Sequence, residues 1–155
     1  MESLAVMMAT GGGLGYVPGL PGTAGAAAGL LFAVGLARVR APLRVGAVVM
    51  LVLVAVPVCE YGARAFGGDD TRIVADELLT FPVATAALPV TGRPMLLAGV
   101  FVASRILDGL KPPPARVAES LHGGVGIVLD DVVANAWTLL LGLLAWRIRR
   151  RLRGE

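Results

Sequence analysis

The sequence predicts an all-α fold: a helical bundle, largely membrane-embedded, with several short or broken helices. Of its 155 residues, 56% are hydrophobic and only 16% charged. With a mean hydropathy of +0.77, this is far from the composition of an ordinary soluble domain. The apolar residues come in uniform runs, not in the alternating ten-residue segments of a membrane barrel. The 21 glycines suit helices that approach one another closely in lipid. Residues 1–155 read as one domain ending in a basic tail, 147–155.

Residues 9–25 carry seven glycines and two prolines and read as a loop whose backbone can approach a ligand closely. A flexible entry to the first helix would read the same way, and neither nucleotide-binding glycine pattern is present. Ala24 to Ala37 is helical in character but short of the ~20 residues that cross a bilayer, so it is re-entrant or buried. Arg38, Arg40 and Arg44 follow, with Pro42 breaking the helix. Val45 to Val58, extendable to Tyr61, forms an apolar run that can span.

Gly67 and Gly68 mark a turn, and Thr71 to Phe81 reads as a helix with acids in its first turns. Acids there favour the positive end of the helix dipole by about 0.3 to 1 kcal/mol each. That accounts for Asp69 and Asp70 better than for Asp76 and Glu77, which fall about a turn and a half in, beside Val74, Leu78 and Leu79. Pro82, Pro89 and Pro94 cut the next apolar stretch, and Met95 to Leu107 resumes as a helix near Arg105 and Asp108. Lys111, followed by Pro112, Pro113 and Pro114, is expected in an extended, rigid connection. His122, Gly123 and Gly124 lead into a last helix, Val125 to Trp146, long enough to span.

Composition also excludes several classes. Cys59 is the sole cysteine and His122 the sole histidine, which rules out an internal disulfide framework and a structural zinc site. Any metal must be held by oxygen. The net charge of +3 comes mainly from Arg147, Arg149, Arg150, Arg151 and Arg153. Directly after an apolar segment, these read as a cytoplasmic anchor that attracts anionic headgroups, at about 1 kcal/mol per residue near the surface. Beyond Trp146 there are no stacking aromatics, so nucleic acid is not an expected partner. Glu2 stands where a signal peptide would be positive and Gly11 to Gly15 interrupts the first apolar run, so later segments are expected to direct insertion.

The acids are bunched. Asp69 and Asp70, Asp76 and Glu77, Asp108, and Asp130 with Asp131 are seven of eleven. An intramembrane Asp costs about 2.5 to 3.5 kcal/mol, so Asp130 and Asp131 call for pairing, protonation or a cation. With carboxylates as the donors, a hard cation such as magnesium is the expected metal. Lys111 is the one lysine among fourteen basic residues. Arg105 is suited to holding a phosphate through two parallel hydrogen bonds, or to pairing with Asp108 three residues on. His122 reads as a proton donor, a phosphate ligand or a helix-entry residue. Such a set fits hydrolysis of a lipid phosphomonoester. A protein conducting or coupling protons or cations through Asp130 and Asp131 is the alternative.

Four blocks sharpen this. They are Thr10 to Gly15 with Pro18 and Pro21 to Gly25 (PGTAG); Asp70 with Ile73 to Glu77 (IVADE); Arg105 to Pro114 (RILDGLKPPP); and His122 to Asp131 (HGGVGIVLDD). In this order and spacing the chain resembles the phosphatidylglycerophosphatase A family along nearly its whole length. The resemblance implies an all-helical, magnesium-dependent phosphatase on the cytoplasmic side of a bacterial membrane. The reaction it implies converts phosphatidylglycerophosphate to phosphatidylglycerol and inorganic phosphate. It also implies functional positions at Asp76, Glu77, Asp108, Lys111, His122, Asp130 and Asp131, with Thr23 and Asp70 as further motif members. On this reading Asp76, Glu77, Asp130 and Asp131 hold the metal, with Asp70 as a further ligand. Thr23, Arg105 and Lys111 grip phosphate, and one carboxylate activates water.

Four positions depart from the family pattern: Thr80 and Asn135 where it often has Gly, Ala26 where Ser is common, and Pro113 where an aromatic is frequent. None removes a charged motif residue. One expectation conflicts with another. If Val45 to Tyr61 crosses once, Arg38 to Arg44 and the Asp70 to Glu77 motif lie on opposite faces, although both read as cytoplasmic.

Overall fold

A computed structural model describes residues 2–119 and 121–154. It is helical, with no strand among the described residues. Helix α1 (Glu2–Ala9) leads through a glycine-rich turn and a 3-10 helix (Leu14–Tyr16) into α2 (Pro21–Leu36). Then follow α3 (Ala41–Phe66), α4 (Ala75–Thr80), α5 (Pro82–Thr85), α6 (Pro94–Leu110), α7 (Ala115–Glu119) and α8 (Gly123–Leu152). Of the prolines expected to interrupt apolar stretches, Pro42, Pro82 and Pro94 do so at helix starts, and Pro89 lies in the connection between α5 and α6. α2, α3, α5 and α6 each carry a proline in the first or second position, where the missing N–H has no helical partner to lose.

α3 and α8 are long and apolar enough to cross a membrane. Their outer faces are uncovered: Val49 and Leu53 are 51% and 58% exposed, Leu140 and Leu144 57% and 56%. Apolar faces of this extent suit lipid rather than water.

The short helix α4 sits at the centre, against α2, α3 and α8. On one side lies a core of Ala26, Ala33, Phe81, Ala84 and Leu88, and on the other a core of Ala55, Cys59, Ile73, Ala75 and Val128. α2 makes room for α4 with Gly22, Gly25 and Gly29, three positions that share one helix face. A Cβ on Gly29 would come within 2.7 Å of the Leu78 carbonyl oxygen and 2.9 Å of that of Glu77. Gly29→Val is therefore expected to lower stability by about 1 to 3 kcal/mol through overpacking. Thermal unfolding in detergent reads this directly, and an unchanged midpoint would contradict the close seating of α4 on α2.

Three local expectations need correction. The loop expected over residues 9–25 ends at Leu20, because Pro21 to Gly25 already form the start of α2. The helix expected from Thr71 begins only at Ala75, so Asp76 and Glu77 stand in its first turn, not beyond it. The preceding chain is tied off elsewhere. Asp70 accepts hydrogen bonds from the Arg72 backbone N–H (2.9 Å), Nε and Nη2 (both 2.8 Å), and the Val74 N–H donates to the Ala9 carbonyl. Lys111 is not extended. It closes α6 in the left-handed region, φ 47°, with its N–H on the Leu107 carbonyl. Proline disfavours the right-handed helical region for the residue before it, and the left-handed cap ends the helix without entering that region.

The long helices run between two ends. At one end Gly22 of α2 approaches Arg105 of α6, and Gly124 of α8 meets Glu60 of α3. At the other, Arg93 stacks 4.8 Å over the Trp146 ring and Thr91 donates to the Ala37 carbonyl, gathering Arg38, Arg93 and the arginines of the α8 terminus. Arg147 follows Asp131 by sixteen residues of continuous helix, roughly 24 Å. Acids and arginine tail thus occupy opposite ends of the bundle.

Candidate active site

The acids converge where α4 meets α8. Asp76 and Glu77, in the first turn of α4, and Asp131, just over two turns into α8, bring one carboxylate oxygen each within 4.8 Å of one another. Asp131 is only 3% exposed. Asp76 Oδ1 and Glu77 Oε2 are sealed from solvent and have no hydrogen-bond partner. A buried oxygen acceptor without a donor is costly unless something positive meets it. The site thus offers three oxygen donors, two carboxyls with unmet demand, and no soft ligand in the converging set, which fits a hard divalent cation.

Burial pushes the Asp76 carboxyl well above the ordinary carboxylate range, with Glu77 and Asp131 adding to the effect. Burial raises Glu77 as well, against the opposing pull of its hydrogen bond to Asp76 and the charge of Arg105. At a given pH the metal-free site therefore holds its protons more firmly than free carboxyls do. In the unfolded chain the same groups ionise near their ordinary values, so the metal-free fold loses stability as pH rises above about 4 towards the raised values. A cation competes with those protons. Any increment in unfolding temperature given by a divalent cation such as magnesium is expected to grow between pH 5 and pH 8, and an increment flat with pH would argue against these carboxyls as ligands.

Arg105 lies alongside. Its Nη1 donates to Asp108 Oδ2 at 3.4 Å, while Nε and Nη2 are buried and unpartnered. Two adjacent donors of a planar fork, next to a carboxylate cluster, match an anion such as a phosphoryl group. Gly22 stands against both Glu77 and Arg105, and any side chain there would collide with the Glu77 carboxylate. Thr23 follows it in the first turn of α2, whose N-terminus also favours an anion. Asp108 lies close enough to Asp131 for the two charges to oppose each other.

The structure separates the other expected residues from this cluster. Asp130 points elsewhere: its Oδ2 accepts from Lys111 Nζ at 3.1 Å, and its Oδ1 from the Asp131 backbone N–H at 2.9 Å. Asp70 is engaged by Arg72, whose guanidinium holds the carboxyl down at about 2 and also lies 4.0 Å over the Phe66 ring. His122 is the exposed N-cap residue of α8 and lines a cavity of about 400 Å³ with Glu60, Arg64, Asp69 and Asp130.

Sequence reasoning missed Glu60. Its Oε2 accepts from the Gly124 N–H at 2.7 Å and its Oε1 from Arg64 Nε at 2.9 Å, supplying the cap that the His122 side chain does not. The available signal was a lone acid near the end of an otherwise apolar helix. Ser104, Thr80 and Asn135 were not read as site residues either, although all three are buried polar groups linked to Asp131.

A family model described as Phosphatidylglycerophosphatase A matches residues 7–146. The chain belongs to the phosphatidylglycerophosphatase A family. The match takes in all four motif blocks and the whole carboxylate cluster. A relative from Escherichia coli (strain K12) named phosphatidylglycerophosphatase A is 35% identical over 131 residues, 83% of this chain and 76% of its own length. One of the same name from Haemophilus influenzae is 31% identical over 87% of this chain and 84% of its own. A Bacteroides thetaiotaomicron relative, 31% identical over 94% of this chain and 96% of its own, carries the provisional name phosphatidylinositol-3-phosphatase. No solved structure matches the chain significantly.

Proposed function

We propose that this family member is a magnesium-dependent lipid phosphatase that removes the terminal phosphate of phosphatidylglycerophosphate, leaving phosphatidylglycerol. The carrying observation is the adjacency of two unmet demands: unpartnered carboxylate oxygens of Asp76 and Glu77, and unpartnered Arg105 donors beside them. Cation and phosphate would be met side by side. Asp76, Glu77 and Asp131 would hold the cation, which when bound neutralises charge on the phosphoryl oxygens.

The remaining roles fall to this chain's own groups. Arg105 Nε and Nη2 receive two phosphoryl oxygens, and the first turn of α2 with Thr23 faces the same anion. Asp108, held by Arg105 and adjoining Asp131, is placed to take the proton of an attacking water. Asp130 serves Lys111 rather than the cation, setting the ammonium at the rim, and His122, which lines the open cavity with Asp130, is the candidate proton donor to the leaving glycerol oxygen if the substrate reaches that cavity. Asp70 acts through the turn it ties to Arg72.

We place the protein in the bacterial inner membrane as a multi-pass protein, with the site opening to the cytoplasm, where the resemblance puts the reaction. The arginine end then takes the opposite face, against the positive-inside tendency.

The test is phosphate release from phosphatidylglycerophosphate in detergent micelles, with magnesium and then with excess chelator. Phosphatidic acid and phosphatidylinositol 3-phosphate serve as competing substrates. Chelator-sensitive release favouring phosphatidylglycerophosphate is expected. Preference for the inositol lipid would move the substrate assignment, and no release from any of the three by folded protein would overturn the phosphatase reading.

A further inference from the structure

Asp131 is the one carboxylate of the cluster that comes from α8, and its orientation is set from outside the cluster. A chain of three buried hydrogen bonds leads to it. Ser104 Oγ of α6 donates to Asn135 Oδ1 at 2.8 Å, Asn135 Nδ2 donates to Thr80 Oγ1 at 3.1 Å, and Thr80 Oγ1 donates to Asp131 Oδ2 at 3.3 Å. Ser104 and Thr80 are fully buried, and Asn135 is 1% exposed. Asn135 lies one turn beyond Asp131 on α8, and Thr80 one turn beyond Asp76 on α4, so the chain forms the next rung behind the carboxylates.

The polarity of this rung follows the placement of the Asn135 amide. Ser104 and Thr80 each have one O–H, and Asn135 presents its amide oxygen to the first and its N–H to the second. Every donor runs from α6 towards Asp131, and the last group must accept. An ionised carboxylate accepts only, so the chain matches the charged, ligand-competent form of Asp131. The Thr80 hydroxyl on Oδ2 restrains the rotation of the carboxylate that also faces Asp76 and Glu77. Thr80 and Asn135 are two of the departures from the family pattern, and the structure shows that they bond to each other.

We propose that Thr80 and Asn135, anchored by Ser104, are positioning residues that hold Asp131 in the orientation a divalent cation needs. This rests on the metal reading of the cluster. Outer partners of this kind change metal affinity by about 10- to 100-fold when removed. With Gly at 80 and 135, neither the hydroxyl nor the amide would be there.

The test is magnesium binding to the purified full chain in detergent by titration calorimetry, alongside the magnesium concentration that half-activates phosphate release. Thr80→Val keeps the shape and removes the donor; Thr80→Ser keeps the donor. Thr80→Val is expected to weaken binding about 10- to 100-fold and to shift half-activation likewise, with turnover at saturating magnesium close to wild type. Thr80→Ser should stay within a few-fold of wild type, and Ser104→Ala, at the far end, should fall between the two. Folded Thr80→Val that binds magnesium as tightly as a binding-competent wild type would overturn this inference alone. Equal losses in Thr80→Val and Thr80→Ser would overturn it too, since packing rather than the donor would then matter. A wild type that takes up no divalent cation would overturn the metal reading together with it.

Discussion

Asp131→Asn is expected to lower kcat/KM by about a thousandfold while leaving the bundle folded. Asp131 is almost wholly buried and contributes to the converging set from α8, so its charge is the part of the site that joins α8 to α4. Asparagine keeps the shape and an oxygen for the Thr80 hydroxyl, and removes the charge that a cation would meet. Replacing a buried carboxylate by a neutral amide also removes a desolvation penalty. The metal-free variant should therefore unfold at a temperature equal to or above that of the wild type. The stabilisation expected from saturating magnesium in the wild type, about 2.7 kcal/mol at a hundredfold excess over Kd, should be absent. Phosphate release and thermal unfolding with and without magnesium check both halves. Turnover near the wild-type rate would remove Asp131 from the machinery.

Arg105→Lys should reduce kcat/KM by about a hundredfold or more with magnesium binding retained. Lysine keeps the charge but not the fork: one ammonium cannot replace Nε and Nη2 as parallel donors while also holding Asp108. The loss should fall on the substrate's phosphate, so calorimetric magnesium affinity stays near wild type and inhibition by inorganic phosphate weakens in step with turnover. A variant that loses magnesium binding as well would assign Arg105 to holding the carboxylates rather than the phosphoryl group.

Much of this was legible in the sequence. Uniform apolar runs gave the helical class and located α3 and α8, and the motif blocks named Asp76, Glu77 and Asp131. The division of labour within Asp130 and Asp131 was not legible from the motif. Successive residues on a helix point about 100° apart, so the two side chains of such a pair separate unless one is long enough to reach round. Asp131 faces the cluster and Asp130 faces Lys111. Asp76 and Glu77 do converge, and there the longer Glu side chain sits in a helix's first turn. Lys111 escaped the rule for residues before proline because that rule excludes right-handed helix, not the left-handed cap adopted here. Glu60 and Ser104 were hidden by distance: their partners lie 64 and 31 residues away along the chain, and local pattern carries no trace of them.

The separation of acids and arginines along α8 turns topology into a single yes-or-no question. For a crossing helix, the compartment that contains Gly154 is the one into which phosphate is not released. A reporter fused behind the last arginine, active only in the cytoplasm or only outside it, would locate the chemistry by exclusion without touching any residue near the carboxylates. An external signal would fit headgroup hydrolysis drawing on the inner leaflet. A cytoplasmic one would mean that the lipid must first be presented to the outer leaflet, making transbilayer movement of the substrate a step that precedes its dephosphorylation.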